Sequence, residues 1–107
     1  MVAYNQYDIY WVELDPTIGV EVNKIRPCII ISPNIINQVL LSVVIVPITS
    51  SLRNLPSRIN IEVSSKKGQV MMDQLRGIDK RRIKGFISKA KTYEIIAIKQ
   101  NISDLFC

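Results

Sequence analysis

Acid–base and metal chemistry in proteins lean heavily on histidine, and this chain of 107 residues has none. That excludes triads with an imidazole base, histidine-ligated metals and the imidazole mechanism of pancreatic-type ribonucleases. Its two cysteines cannot form a zinc set by themselves. Cys28, within the apolar run Pro27-Cys28-Ile29-Ile30-Ile31, reads as a buried thiol and Cys107 as a terminal one. What remains is cationic and aromatic. Fourteen Lys and Arg face nine Asp and Glu, a net charge of +5. Seven of the basic residues (Arg76, Lys80, Arg81, Arg82, Lys84, Lys89 and Lys91) fall between positions 76 and 91, opposed only by Asp79, a local +6. The rest of the chain carries seven basic and eight acidic residues. Such a run is either a solvated face or a phosphate-binding rim. Tyr4, Tyr7, Tyr10, Trp11, Phe86 and Tyr93 could stack on bases beside it, the combination used to bind single-stranded nucleic acid. For Trp11, set in a strand, core packing is the expected role.

These groups need a framework, and the length allows one domain spanning positions 1–107. Hydrophobic residues make up 48% and charged residues 21%, the balance of a packed globule, small enough that dimerisation would help stabilise it. Asp8 to Leu14, rich in β-formers, reads as a strand. Asp15-Pro16-Thr17-Ile18-Gly19 is turn chemistry, opening a polar loop to Lys24-Ile25-Arg26. A strand from Cys28 to Ser32 follows and is broken by Pro33. The near-continuous apolar run Leu41 to Ile48 predicts a strand buried on both faces. Arg58 to Val63 alternates at period two. Ser64 to Gly68 reads as a turn, Gln69 to Leu75 as a strand ended by Arg76-Gly77-Ile78-Asp79, and Ile83 to Ala90 as another strand. From Tyr93, the residues Ile95, Ile98, Ile102 and Leu105 recur at helical spacing behind Thr92 as N-cap. The expected class is mainly β: short antiparallel strands curled into a small sheet or barrel, then one C-terminal amphipathic helix. The start lacks a signal-peptide pattern, and the longest apolar stretch, near Val39 to Ile48, falls short of the ~20 residues that span a bilayer. With the unpaired cysteines this predicts a cytoplasmic protein without a membrane partner.

Three stretches then align with a known family. Asp8-Ile9-Tyr10-Trp11-Val12, Asp15-Pro16-Thr17-Ile18-Gly19-Val20-Glu21 and Lys24-Ile25-Arg26-Pro27 together resemble the start of the MazF/PemK toxin ribonucleases. Pro47-Ile48-Thr49-Ser50 resembles their second motif. Gly68-Gln69-Val70-Met71-Met72-Asp73-Gln74-Leu75-Arg76, with Ile78-Asp79-Lys80, resembles their third. The resemblance covers nearly the whole chain, in order. It implies an SH3-like twisted antiparallel barrel of the CcdB/PemK plasmid-maintenance toxin type, assembled as a homodimer. It implies metal-independent, sequence-specific cleavage of single-stranded RNA, typically messenger RNA, to 2′,3′-cyclic phosphate and 5′-hydroxyl ends, with no cofactor. It also implies a labile acidic antitoxin, MazE-like, whose tail occupies the RNA groove.

Mapped by motif, the catalytic residues are Arg26 and Thr49. Glu21, Asp73 and Gln74 are candidate supporting residues. Thr17, Lys24, Ser50, Arg53, Arg58, Arg76, Lys80, Arg81, Arg82 and Lys84 are candidate RNA contacts. Two positions depart from the family pattern: Met71 stands where some members carry a second Arg, and Gly77 where a Thr is common. Cleavage to a cyclic phosphate uses the RNA's own 2′-hydroxyl as nucleophile, so neither a water nor a metal need be activated. The planar fork of Arg26 suits a charge-dispersing role, and Thr49 can donate to a non-bridging oxygen. The proton acceptor is left open between a carboxylate (Glu21 or Asp73), a perturbed Arg and the substrate's phosphate. Two other functions fit the same barrel: a gyrase-binding toxin that cuts no RNA, and an RNA-binding module without catalysis.

Overall fold

The computed structural model describes residues 3–14 and 24–107. Seven strands, β1 (Asp8–Leu14), β2 (Lys24–Ile30), β3 (Ser42–Thr49), β4 (Arg58–Val63), β5 (Lys66–Met71), β6 (Arg76–Asp79) and β7 (Ile83–Lys89), form one antiparallel sheet. Helix α1 (Asn34–Val39) links β2 to β3, and helix α2 (Thr92–Phe106) ends the fold. The spatial order is β4-β5-β3-β2-β1-β7, with β6 also on β3. The sheet curls into a half-barrel with β4 and β7 at its edges.

The third strand makes that curl possible. One edge of β3 pairs with β2 through Cys28↔Pro47, Ile29↔Val46 and Ile30↔Ile45. Its other edge pairs with β6 from Ser42 to Ile45 and then with β5 at Ile48 and Thr49. The Val- and Ile-rich sequence suits this place, because apolar side chains are covered on both sides. Alternation divides them into two clusters. Ile9, Ile29, Val46, Ile48, Val70, Met72 and Ile98 of α2 form one. Val12, Cys28, Ile30, Val43, Ile45 and Ile78 belong to the other.

A buried carboxylate fastens α2. Glu94 is 1% exposed. Its two oxygens accept the backbone N–H of Glu62 on β4 (2.8 Å) and of Lys91 at the helix start (2.7 Å). With a donor on each oxygen, the buried side chain avoids the penalty of an unpaired polar group. Asn101 adds a second tie, donating from Nδ2 to Pro56 O at 2.8 Å.

Several boundaries differ from the sequence reading. Lys24–Arg26, expected in a loop, belongs to β2, because Leu14, Glu13 and Val12 continue the ladder opposite them. The turn expected over Ser64–Gly68 contracts to Ser64 and Ser65, and Lys66 already pairs with Val63. The strand expected over Gln69–Leu75 gives way at Met72 to a 3-10 turn, Met72–Gln74, and Arg76–Asp79 is itself a strand paired to β3. Helix α1 was not expected, since its sequence NIINQV holds few strong helix formers. Tertiary bonds hold it: Asn37 Nδ2 donates to Ser32 O and Tyr4 O. The N-cap of α2 is Lys91, not Thr92. Trp11, expected in the core, is 45% exposed. Its cross-strand neighbours are Pro27 and Gly85, neither of which has a large side chain to cover the indole.

The β4–β5 hairpin turns on two residues, Ser64 (φ 50°) and Ser65 (φ 67°), both in the left-handed region that favours glycine. An L side chain there costs roughly 1–2 kcal/mol per residue. Ser65→Gly is therefore expected to stabilise the fold by about 1 kcal/mol, read as a higher urea midpoint at unchanged slope. An unchanged or lower midpoint would show that the serine turn is not strained.

Candidate nucleic-acid cleft

Continuing the β2–β3 register by two residues would set Arg26 opposite Thr49, but the pairing stops at Cys28 and Pro47. From there β2 stays with β1, where Arg26 lies opposite Val12. β3 instead turns to β5, where Thr49 lies opposite Gln69. A cavity of about 670 Å³ opens at this parting. Arg26, Thr49 and Ser50 line it, with Trp11, Ile25 and Pro27 on one side and Lys66, Lys67 and Gly68 of the β4–β5 hairpin on another. It combines an apolar floor, an exposed indole, an Arg and two exposed Lys.

Gly68 permits the close approach of that hairpin. A Cβ there would lie 3.1 Å from Thr49 O and 3.2 Å from Ile48 Cγ2, so a larger residue would displace the Thr49 backbone. Thr49 Oγ1 accepts the Ser51 N–H at 3.1 Å, which keeps its own hydroxyl proton available for another acceptor.

Next to Thr49, Gln69 is a buried hub. Its Oε1 accepts from Arg53 N (2.9 Å) and Arg58 Nη1 (3.2 Å). Its Nε2 donates to Arg53 O (3.0 Å) and Asn60 Oδ1 (3.0 Å). Arg58 Nη1 also donates to Ser51 O at 3.0 Å. One glutamine thus fixes the loop after β3 and the position of Arg58. The sequence reading did not single out Gln69, Lys66 or Lys67. The signals available for Gln69 were its place in the third motif and a polar residue at the head of an otherwise apolar stretch.

Arg76, on β6 opposite Ile45, lies near Cys28, as Arg26 does. Burial pushes the Cys28 thiol up to about 12, against the pull of those two guanidiniums. Asp73 and Gln74 are exposed on the 3-10 turn and do not line the cavity. Thr17 and Glu21 lie outside the described residues, as does the side chain of Lys24.

The basic run from Arg76 to Lys91 is not gathered around this cleft. Lys80, Arg81 and Arg82 form a 3-10 turn, Lys80–Arg82, where Arg82 Nη1 donates to Glu13 O and Lys80 N to Leu41 O. Arg81 grips Asp79 through Nε and Nη2, both at 3.0 Å, holding that carboxyl down at about 2. Lys84 Nζ donates to Arg81 O. Lys91 pairs with Glu62 of β4 at 2.8 Å. Among the described residues, no three His, Cys, Asp or Glu come together as metal ligands.

A curled antiparallel half-barrel that opens a cationic, aromatic-edged cleft at a sheet corner defines a small β-barrel protein suited to an extended anion. Residues 5–106 match the PemK-like, MazF-like toxins of type II toxin-antitoxin systems, and the chain belongs to that family. It is 26% identical over 82 residues, 71% of each chain, to endoribonuclease EndoA of Bacillus subtilis (strain 168). It is 30% identical over 71 residues to endoribonuclease toxin MazF of Escherichia coli (strain K12), a stretch covering 66% of this chain and 64% of that one. A MazE–MazF crystal structure from Deinococcus radiodurans superposes with a TM-score of 0.84 at 21% identity, over 98% of this chain and 96% of that one, which establishes the shared fold.

The Cys28 thiol holds its proton to about 12 in the folded chain, against an ordinary value of 9.0. Between those values the unfolded state ionises and the folded state does not, so stability is expected to fall as pH rises through that window. At pH 8 an alkylating reagent is expected to label only exposed Cys107 in the native protein, and both thiols in denaturant. Native labelling of Cys28, read by mass spectrometry, would contradict this.

Proposed function

We propose that this chain is a metal-independent, sequence-specific endoribonuclease, the toxin of a toxin–antitoxin pair, that cuts single-stranded RNA in the cytoplasm and arrests translation and growth. The observation that carries the reading is the meeting of Arg26 and Thr49, from different strands, on one cleft with Lys66 and Lys67. The endoribonuclease names of the curated relatives support the activity.

In this reading the RNA 2′-oxygen attacks its neighbouring phosphorus and the bond from phosphorus to the 5′-oxygen breaks. A 2′,3′-cyclic phosphate and a 5′-hydroxyl result. One group takes the 2′-proton and another returns a proton to the departing 5′-oxygen. Arg26 holds the two non-bridging phosphate oxygens as negative charge grows, and Thr49 donates to one of them. With a nucleophile built into the substrate, no metal-bound water is required. Asp73 lies off the cleft, so the candidates for proton acceptor narrow to Glu21, a perturbed Arg and the substrate's own phosphate. Trp11 offers a stacking face at the cleft edge. A homodimer doubles the site. An antitoxin partner is supported by the MazE–MazF complex and by a mycobacterial endoribonuclease solved with its cognate antitoxin, and an acidic segment of it would compete with RNA for the same cations.

Arg26→Ala and Thr49→Ala are each expected to slow cleavage by about 10²–10³-fold, the usual cost of removing a transition-state donor, with unchanged thermal melting. Mapped ends should carry cyclic phosphate and 5′-hydroxyl, and a single 2′-deoxy nucleotide at the cut should block it. Glu21→Gln should remove the acidic limb of the pH–rate profile if Glu21 is the base. A wild-type protein that leaves mixed single-stranded RNA uncut, with or without divalent ions, would overturn the enzyme reading.

A further inference from the structure

A second cavity, of about 370 Å³, lies beside the cleft on the β4–β5 hairpin. Lys67 and Gly68 line both cavities. The second is completed by Leu52, Asn60, Glu62 and Tyr93 at the start of α2, with buried Glu94 behind. Its size falls within the range of small-ligand clefts, about 300–1,000 Å³. Tyr93 is 63% exposed.

The hydrogen-bond network fixes what Asn60 presents. Both partners of Gln69 Oε1 are obligate donors, a backbone N–H and a guanidinium. Gln69 must therefore point its oxygen at them and its Nε2 toward Asn60 and Arg53 O. Asn60 must then turn Oδ1 to Gln69. Its Nδ2, a double donor, faces away from the network, on a residue that lines the cavity and is exposed. A donor, an exposed phenol ring, an apolar Leu52 side chain and a Lys shared with the cleft are the parts of a nucleobase site.

We propose that this second cavity is a nucleobase subsite flanking the scissile phosphate, in which Tyr93 stacks on the base, Asn60 Nδ2 donates to a base carbonyl oxygen, and Lys67 meets the phosphate linking the two cavities. The inference rests on the RNA-cleaving reading of the adjoining cleft. Uracil, cytosine and guanine each carry a carbonyl oxygen on the base and adenine carries none. With a carbonyl oxygen as the acceptor that Asn60 reaches, the subsite disfavours adenine, whose acceptors are ring nitrogens, at one position outside the cut dinucleotide.

The test maps cleavage ends from a random-sequence RNA pool for wild type, Asn60→Asp and Tyr93→Ala, alongside thermal melting. Asp keeps the oxygen that Gln69 needs and replaces the donor by an acceptor. Wild type is expected to disfavour adenine at one flanking position by about 3–10-fold, the worth of one hydrogen bond. Asn60→Asp should abolish that preference without moving the cut. Tyr93→Ala should lower kcat/KM about 10-fold or more on RNA long enough to reach the subsite, as loss of a stacked base does. It should leave a minimal substrate that stops short of the subsite unaffected, and Tyr93→Phe should restore the long-RNA rate. Identical flanking profiles for wild type and Asn60→Asp, or equal rates for Tyr93→Ala on long RNA, would overturn the subsite while the cleavage reading stands. If wild type cuts nothing, binding of a labelled single-stranded RNA decides: weaker binding by Tyr93→Ala supports the subsite, and equal binding overturns it. Loss of acidic-peptide binding with RNA binding intact would assign the cavity to a protein partner and overturn the proposal.

Discussion

Everything at the cleft depends on β3 changing partners along its length. A strand has two edges, and β3 gives one to β2 while dividing the other between β6 and β5. The division bends the sheet, because β6 and β5 cannot continue one another in a single plane. On the edge shared with β2, the pairing ends at Cys28 and Pro47, just before the positions of Arg26 and Thr49. The gap that becomes the cavity is thus a consequence of strand pairing, and the apolar residues of β3, buried on both faces, make the pairing worth keeping.

Such a corner leaves polar backbone to satisfy, and two buried side chains do much of it. Gln69 replaces the missing ladder beyond Thr49 by bonding both backbone groups of Arg53. Glu94 does the same where α2 meets β4, accepting two backbone N–H groups. Both are long polar residues in places where an apolar one would bury more surface. Their value lies in fixing geometry: each removes one way for a loop or helix to shift against the sheet. The rigidity of Gln69 passes to Asn60 and Arg58, so the groups beside the cleft are oriented before any ligand arrives.

How much of this could be read in the sequence follows from the range of each interaction. β1, β3 and β4 announced themselves through composition or alternation, which are local properties, and α2 through its 3.6-residue spacing. The start of β2 did not, because Lys24 and Arg26 are polar and only their pairing with β1 makes them a strand. Helix α1 failed for a similar reason: besides its local bond to Ser32, Asn37 ties it to Tyr4, thirty-three residues away and beyond any local window. Trp11 was misplaced because burial was inferred from its type, whereas exposure comes from having Pro27 and Gly85 as neighbours. Motif alone pointed to Arg26 and Thr49, which line one cavity, but Lys66 and Lys67, which line it too, hid inside a stretch that looked like a turn.

The charge shows most clearly how linear density and spatial density part. The run from Arg76 to Lys91 contains the chain's excess of positive charge, yet folding distributes it along β6, a 3-10 turn, β7 and the start of α2. Part of it is spent locally: Asp79 neutralises Arg81, and Glu62 neutralises Lys91. A hairpin pairs its residues at fixed separation, so Lys66 and Lys67, only two residues of a weakly charged stretch, are carried beside Arg26 by the β4–β5 ladder and by the missing side chain of Gly68. Screening in physiological salt acts over about 8 Å. A phosphate in the cleft would therefore feel most strongly the cations that line it. The cationic character of the cleft is thus a product of topology, and neither net charge nor the longest basic run would have located it.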